Sequence, residues 1–311
     1  WCALAGLSIG VLRPPTTWDL YPYLALGLIS VIYAIWRQEP PDSTESWPDW
    51  LRNIPHRIRQ PILAVIGAVG LFGLVTLFFQ PYTQWYALGY TKIDLWNGSH
   101  TPLSAYLNHW GLFLVVILPW MIWETRDWMA KTPVSALRKL RKIRYWILAL
   151  FLMLWVAVAL LVFWREVSIA WFILPLAAWA GILILRPGQP DAKRIVLFLV
   201  GSGLTLTLIV EVIVLVGDIG RMNTVFKFYS QAWQLWSLAA AFGTAVLLRN
   251  LRGVWNVAWR VLLGLIIIAG LTYPVLAFLN KTNNFNPSIG YTLDSSTHLN
   301  LENPEDAAAI R

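Results

Sequence analysis

Eight apolar runs, each long enough to cross about 30 Å of hydrocarbon as a helix, recur along this chain at roughly residues 20–37, 61–80, 103–123, 145–164, 168–185, 194–216, 230–248 and 259–279. Such runs cannot all be buried inside one soluble core. Within a bilayer every backbone N–H and C=O must be satisfied inside its own segment, which leaves helices as the structure available to them. The predicted fold is therefore all-α, a polytopic transmembrane helical bundle of about eight full spans with a partial span at residues 1–12. Composition agrees, at 58% hydrophobic and 13% charged residues. These values exclude an ordinary soluble domain.

Basic residues are distributed unevenly between alternate connections. Those after the first, third, fifth and seventh spans hold 17 of the 24 Lys and Arg residues, with Arg126 to Arg144 the densest stretch. The other side receives Arg13, Lys92, Arg165, Arg221, Lys227, Lys281 and Arg311. By the positive-inside rule the first set is cytoplasmic, which predicts a multi-pass protein of the plasma (inner) membrane. The run Arg138-Lys-Leu-Arg-Lys-Ile-Arg144 then reads as an anchor facing anionic membrane lipids, not as a nucleic-acid site. Many of the 20 Trp residues fall at span ends, among them Trp36, Trp123, Trp146, Trp164 and Trp259, as an aromatic belt requires. A single Cys, Cys2, excludes an internal disulfide, and four scattered His show no zinc spacing.

The connections differ in character. Residues 38–60, with Pro40-Pro41, Asp42, Glu45 and Asp49, read as a solvated connector. Residues 81–102 carry Tyr82, Trp85, Tyr86, Tyr90 and Trp96 at helix-like spacing, which predicts a short interfacial helix. After residue 280 the chain turns polar. This divides it into a transmembrane domain, 1–280, and the start of an extracytoplasmic segment, 281–311. With no initiating Met and a last stretch, Ala307-Ala-Ala-Ile-Arg311, that resembles an entering helix, the sequence reads as a piece of a longer protein.

The chemistry concentrates at 211–237. A charge at membrane depth is costly and ordinarily faces a partner or a cavity. Glu211 lies inside an apolar run, and Asp218, Arg221, Asn223 and Lys227 follow at its rim. Glu211 and Asp218 share a face if the sixth helix continues that far. Gly217 and Gly220 around Asp218 instead allow an unwound exit. Asn223, Lys227, Gln231 and Gln234 recur on one side of the seventh span, and Ser237 extends the row. A polar stripe in a bilayer helix turns toward protein or water, so two adjacent helices are expected to wall a polar cleft. Arg221 and Lys227 at its mouth suit a phosphate or pyrophosphate. Glu211 and Asp218 are candidates for acid–base catalysis, and Asp218 also for a divalent cation. The alternative is a plain ion pair of Glu211 or Asp218 with Arg221 or Lys227. Thr101, Ser104 and Asn108, with His109 beside them, offer a third wall; His109 reads as a base, a phosphate ligand or a packing residue.

Three stretches carry a resemblance: Arg221-Met-Asn-Thr-Val-Phe-Lys-Phe-Tyr-Ser-Gln-Ala-Trp233, Trp96-Asn-Gly-Ser-His-Thr-Pro-Leu-Ser-Ala-Tyr-Leu-Asn-His-Trp-Gly-Leu-Phe-Leu114, and Tyr291-Thr-Leu-Asp294 followed by Glu302 to Arg311. They resemble the uncharacterised "YYY" membrane-protein family of bacteria and archaea, which is grouped with GT-C glycosyltransferases. The resemblance implies a GT-C-like bundle that uses a polyprenyl-phosphate sugar donor at the extracytoplasmic face. It assigns Arg221, Asn223 and Lys227 to the donor phosphate, with Asn108, His109, Gln231 and Gln234 lining the cleft. It places the catalytic acid in the first outer loop, in a part expected to precede this sequence. A lipid or lipid-phosphate flippase and a non-catalytic subunit of a membrane complex are the alternatives. The polar row ends near Ser237 and residues 239–248 are almost wholly apolar, which favours a dead-end cleft over a translocation path.

Overall fold

The computed structural model describes residues 2–37, 54–86, 92–217, 219–286, 290–294 and 296–310. The connector at 38–53 and the side chains of Tyr90, Asp218 and Arg311 lie outside the described residues. The chain is overwhelmingly helical, as its apolar runs require. In order come α1 (Cys2–Gly10), α2 (Leu20–Arg37), α3 (His56–Phe78), α4 (Gln80–Trp85), β1 (Lys92–Leu95), α5 (Leu103–Lys131), α6 (Leu137–Leu140) and α7 (Arg144–Ala159). Next are α8 (Ala170–Ile184), α9 (Asp191–Val212), β2 (Ile213–Val216), α10 (Arg221–Asn250), α11 (Val254–Lys281), α12 (Ser296–Glu302) and α13 (Pro304–Ile310). Among the described residues, six helical segments combine the length and apolarity to cross a membrane: 20–37, 57–78, 103–131, 144–164, 191–212 and 254–281. The other two expected spans differ in kind. Residues 168–185 form the 15-residue helix α8, and 230–248 lie within the 30-residue α10, whose polar row lowers its hydropathy.

Two compact units divide the chain, one of residues 1–106 and 133–239 and the other of 107–132 and 240–311. In the first, α1, α2 and α3 close over Leu20, Leu71 and Val75, with Ile9, Leu24 and Val31 packed against them. Small residues permit the approach: a Cβ on Gly6 would sit 2.7 Å from the Cβ of Leu74, the close contact that membrane helices use in place of a hydrophobic drive. Helix α9 packs on α8, and against α10 the Trp236 indole donates to the Val200 carbonyl at 3.1 Å. The far ends of α2 and α9 are joined by ions. Asp191 accepts from Tyr33 Oη at 2.6 Å and pairs with Arg37 at 3.1 Å.

Two expectations are corrected around the sixth span. Its helix does not reach residue 216: α9 ends at Val212, and Ile213 is already extended at φ −122°, ψ 158°. Residues 213–216 form a strand, antiparallel to β1, with Ile213 opposite Leu95 and Val216 opposite Lys92. The interfacial helix expected over 81–102 is likewise confined to Gln80–Trp85 before β1 takes over. The physical reason is shared. Ile213-Val-Leu-Val216 is rich in β-branched side chains, which favour extended backbone, and Lys92-Ile-Asp-Leu95 supplies a partner edge of alternating polarity.

In the second unit, residues 107–131 of α5 and 240–250 of α10 carry the Trp120 and Phe242 rings in edge-to-face contact, centroids 5.6 Å apart. Residues 281–311 contribute the short helices α12 and α13, packed on each other.

Candidate functional site

Stopping α9 at Val212 leaves Glu211 in its last turn, fully buried. Four donors converge on its carboxylate. Arg221 Nη2 and Thr101 Oγ1 each lie 2.6 Å from Oε1, while the Thr101 backbone N–H and His100 Nδ1 lie 3.1 Å from Oε2. Arg221 is the first residue of α10, and the Gly220 N–H before it donates to the Gly217 carbonyl at 3.4 Å. Its guanidinium also donates to the Ser99 carbonyl and to Thr101 Oγ1, and stands 5.0 Å over the Trp96 ring. Trp96 is fixed in turn, its N–H continuing the ladder to the Val212 carbonyl at 2.9 Å and its carbonyl accepting from Arg165. The Leu215 N–H donates to Thr224 Oγ1 at 2.9 Å, tying β2 to the first turn of α10. Of the two arrangements the sequence left open for Glu211, the ion pair with Arg221 is present. The shared helical face with Asp218 is not, because the helix ends first.

A second polar cluster lies further along α10. The Gln231 amide donates from Nε2 to Asp19 Oδ1 at 2.7 Å, and Thr16 Oγ1 donates to Asp19 Oδ2 at 2.6 Å. Tyr23 Oη donates to Gln234 Oε1 at 2.6 Å. Asp19, Tyr23, Gln231 and Gln234, with Ser8 and Ser230 and the apolar Ile9 and Leu12, line a cavity of about 370 Å³. Gln231 is 2% exposed, and its Oε1 has no hydrogen-bond partner among the described residues. A buried amide oxygen left unpaired forgoes about 1–3 kcal/mol. Asn223 and Lys227, both half-buried, continue the row toward the start of α10.

The structure thus brings Glu211 together with Arg221, Gln231 with Asp19, and Gln234 with Tyr23. Asn108 and His109 belong to the second unit, where the His109 ring meets Trp110 edge-on at 4.7 Å. Among the described residues no group of three or more His, Cys, Asp or Glu side chains gathers as a metal site would require. Sequence reasoning missed Asp19, Tyr23 and His100. A carboxylate directly before the first full span was the available signal for Asp19, but an acidic residue at a helix start is ordinary and pointed to no partner. His100 stood unassigned within the stretch 96–114.

Long apolar helices, a small two-stranded ledge and buried polar clusters between helices define the class: a polytopic α-helical membrane protein with a polar site. Within that class the chain belongs to the DUF2298 family of uncharacterized membrane proteins, whose profile matches residues 1–236. The matched region includes Asp19, Glu211, Arg221, Lys227 and Gln234, and therefore both polar clusters. No curated protein and no solved structure matches the chain.

Proposed function

We propose that this protein is a membrane-embedded, GT-C-like glycosyltransferase that takes its sugar from a polyprenyl-phosphate donor at the extracytoplasmic face. One observation carries the reading: the carboxylate residue Asp19 and the amides Gln231 and Gln234 line one cavity, with a cation on the same helix four residues from Gln231. Four helical residues rise about 6 Å, a span suited to a sugar between its phosphate and its hydroxyl contacts. Asp19 and Lys227 both fall on the side opposite the basic loops, where the positive-inside rule puts the outer surface.

In this mechanism Asp19 accepts the proton of the acceptor hydroxyl as its oxygen bonds to the anomeric carbon. The bond from that carbon to the phosphate oxygen breaks, and the lipid phosphate departs with the electron pair. Lys227 and Asn223 meet the growing phosphate charge. Gln231 and Gln234 contact sugar hydroxyls. Glu211 holds Arg221 at the entrance of α10, so that Arg221 positions the phosphate-binding turn, and Glu211 is assigned to this positioning in preference to proton transfer. The contacts of Gln231 with Asp19 and of Gln234 with Tyr23, on a row that ends at Ser237, favour transfer over lipid flipping.

The experiment uses the full-length protein in nanodiscs with a panel of polyprenyl-phosphate sugars. Sugar transfer or hydrolysis is expected, lost in Asp19→Asn with donor binding retained, and weakened at the binding step in Lys227→Ala. Wild-type donor affinity in Lys227→Ala, or full turnover in Asp19→Asn, overturns the assignment. Lipid-phosphate exchange between leaflets without sugar release would replace it by the flippase reading.

A further inference from the structure

A larger cavity lies in the second unit, on the side of the spans that carries the basic loops. It measures about 780 Å³ and is framed by α5, the end of α10 and the start of α11. Its corner is built, not incidental. Gly253 takes φ +57°, reversing the chain between α10 and α11, a conformation that favours glycine. Asn256 Nδ2 then donates to the Leu248 and Leu251 carbonyls at 3.1 and 2.9 Å, stitching the first turn of α11 to the last of α10.

Apolar and aromatic side chains such as Ile122, Trp123 and Leu262 form the walls, and Arg126 and Arg252 stand at the rim. The Arg126 guanidinium lies 6.0 Å from the Trp123 ring centre. Among the described residues neither arginine pairs with a carboxylate; Asp127, adjacent in sequence, pairs with Lys131 at 2.7 Å. Trp259, 5% exposed, also lines the cavity, and its buried indole N–H has no acceptor among the described residues. A buried Trp N–H ordinarily finds a partner. Two cationic donors thus stand above apolar walls.

We infer that this corner binds the phosphate-bearing headgroup of an anionic membrane lipid. The guanidiniums suit the phosphate oxygens bidentately. A free inorganic anion would gain nothing from apolar walls. A lipid gains twice, because α11 below the cavity keeps Leu265, Ile268 and Leu271 exposed for an acyl chain to cover. Basic pockets between transmembrane helices on the cytoplasmic side recognise anionic headgroups in this way.

Native mass spectrometry of the full-length protein, titrated with dioleoyl-phosphatidylglycerol or dioleoyl-phosphatidylcholine, tests the inference. Phosphatidylglycerol is expected to be retained over phosphatidylcholine, with occupancy falling about tenfold in R126A/R252A and unchanged in K92A/K281A, which removes equal charge from two exposed positions on the opposite side of the spans. Should R126A/R252A fail to fold, R126Q/R252Q keeps the stems and removes the charge, and is expected to lose the lipid equally. Equal loss in K92A/K281A, indifference to headgroup, or displacement of the lipid by inorganic phosphate would overturn the inference.

Discussion

Neutralising Glu211 isolates what the buried pair does. In Glu211→Gln the volume is kept and the charge removed from a fully buried position. Arg221, whose side chain is only 15% exposed, then keeps its charge without its counter-ion. At an effective dielectric near 20, two charges about 4 Å apart attract by about 4 kcal/mol, and breaking one partner of a buried pair costs about 3–5 kcal/mol. The amide adds a local conflict. Whichever way it is turned, its NH₂ meets a donor, either Arg221 at one oxygen position or the Thr101 N–H at the other. Thermal unfolding of the variant in nanodiscs should therefore fall by on the order of 10 °C. The companion variant Glu211→Gln/Arg221→Gln removes both charges, and replacement of both members of a buried pair is often near neutral. It is expected to recover much of the loss. Additive losses in the double variant, or a loss below about 1 kcal/mol in Glu211→Gln, would refute the coupled pair and return Glu211 to the pool of candidate acids.

Three further outcomes follow from other parts of the molecule. Gly203→Ala places a Cβ 2.2 Å from Trp236 Nε1; a thermal melt should show a destabilisation of about 1–3 kcal/mol, whereas Gly201→Ala, with no atom within 4 Å of the added Cβ, should be silent. With Cys2 replaced, a cysteine at Ser135 should react with an impermeant maleimide only from the cytoplasmic side and one at Asn283 only from the outer side; the reverse pattern would invert the topology. Outside the spans, the side-chain and backbone hydrogen bonds from Ser296 hold the Asp294 carboxyl below the usual carboxylate range. A depressed folded pKa means that this turn is favoured above the ordinary carboxylate pKa and loosens as pH falls through the lowered one. Carboxyl-carbon NMR titration should show Asp294 protonating at higher pH in Ser296→Ala.

Legibility from sequence followed the length over which a signal accumulates. An apolar run of about 20 residues is a strong pattern, and six of the eight expected spans are helices of that kind. The strands β1 and β2 are four residues each, too short to impose their alternation on the surrounding apolar text, and they lie more than a hundred residues apart. Ile213-Val-Leu-Val216 reads equally as the end of a buried helix; only its pairing with Lys92–Leu95 decides. The polar row on α10 was visible because its period was helical. Its partners Asp19 and Tyr23 were not, since a cross-helix hydrogen bond leaves no periodic trace in either strand of text.

The helix-to-strand switch at Val212 links these two outcomes to the site. Had α9 continued to residue 216, Glu211 would lie mid-helix, and residues 213–216 would advance the chain by about 6 Å instead of the about 13 Å of four extended residues, moving the start of α10. Extending 213–216 instead pins the backbone to β1, and β1 runs directly into Trp96, Ser99, His100 and Thr101, the groups that complete the Glu211–Arg221 cluster. The ledge thus sets where α10 begins, and a helix's starting residue fixes the face on which every later residue lies. Gln231 and Gln234 reach Asp19 and Tyr23 because Arg221 is held ten and thirteen residues earlier. Weakening the ledge by Leu215→Asp, at a position 1% exposed, should therefore disturb the Asp19 cavity at a distance. A cysteine pair at Asp19 and Gln231 is expected to be bridged by a short bifunctional thiol reagent in the otherwise unaltered protein and to lose that crosslink when Leu215→Asp is added. Retention of the crosslink would mean that α10 finds its rotation from packing on α9 alone, through Trp236 and Gly203.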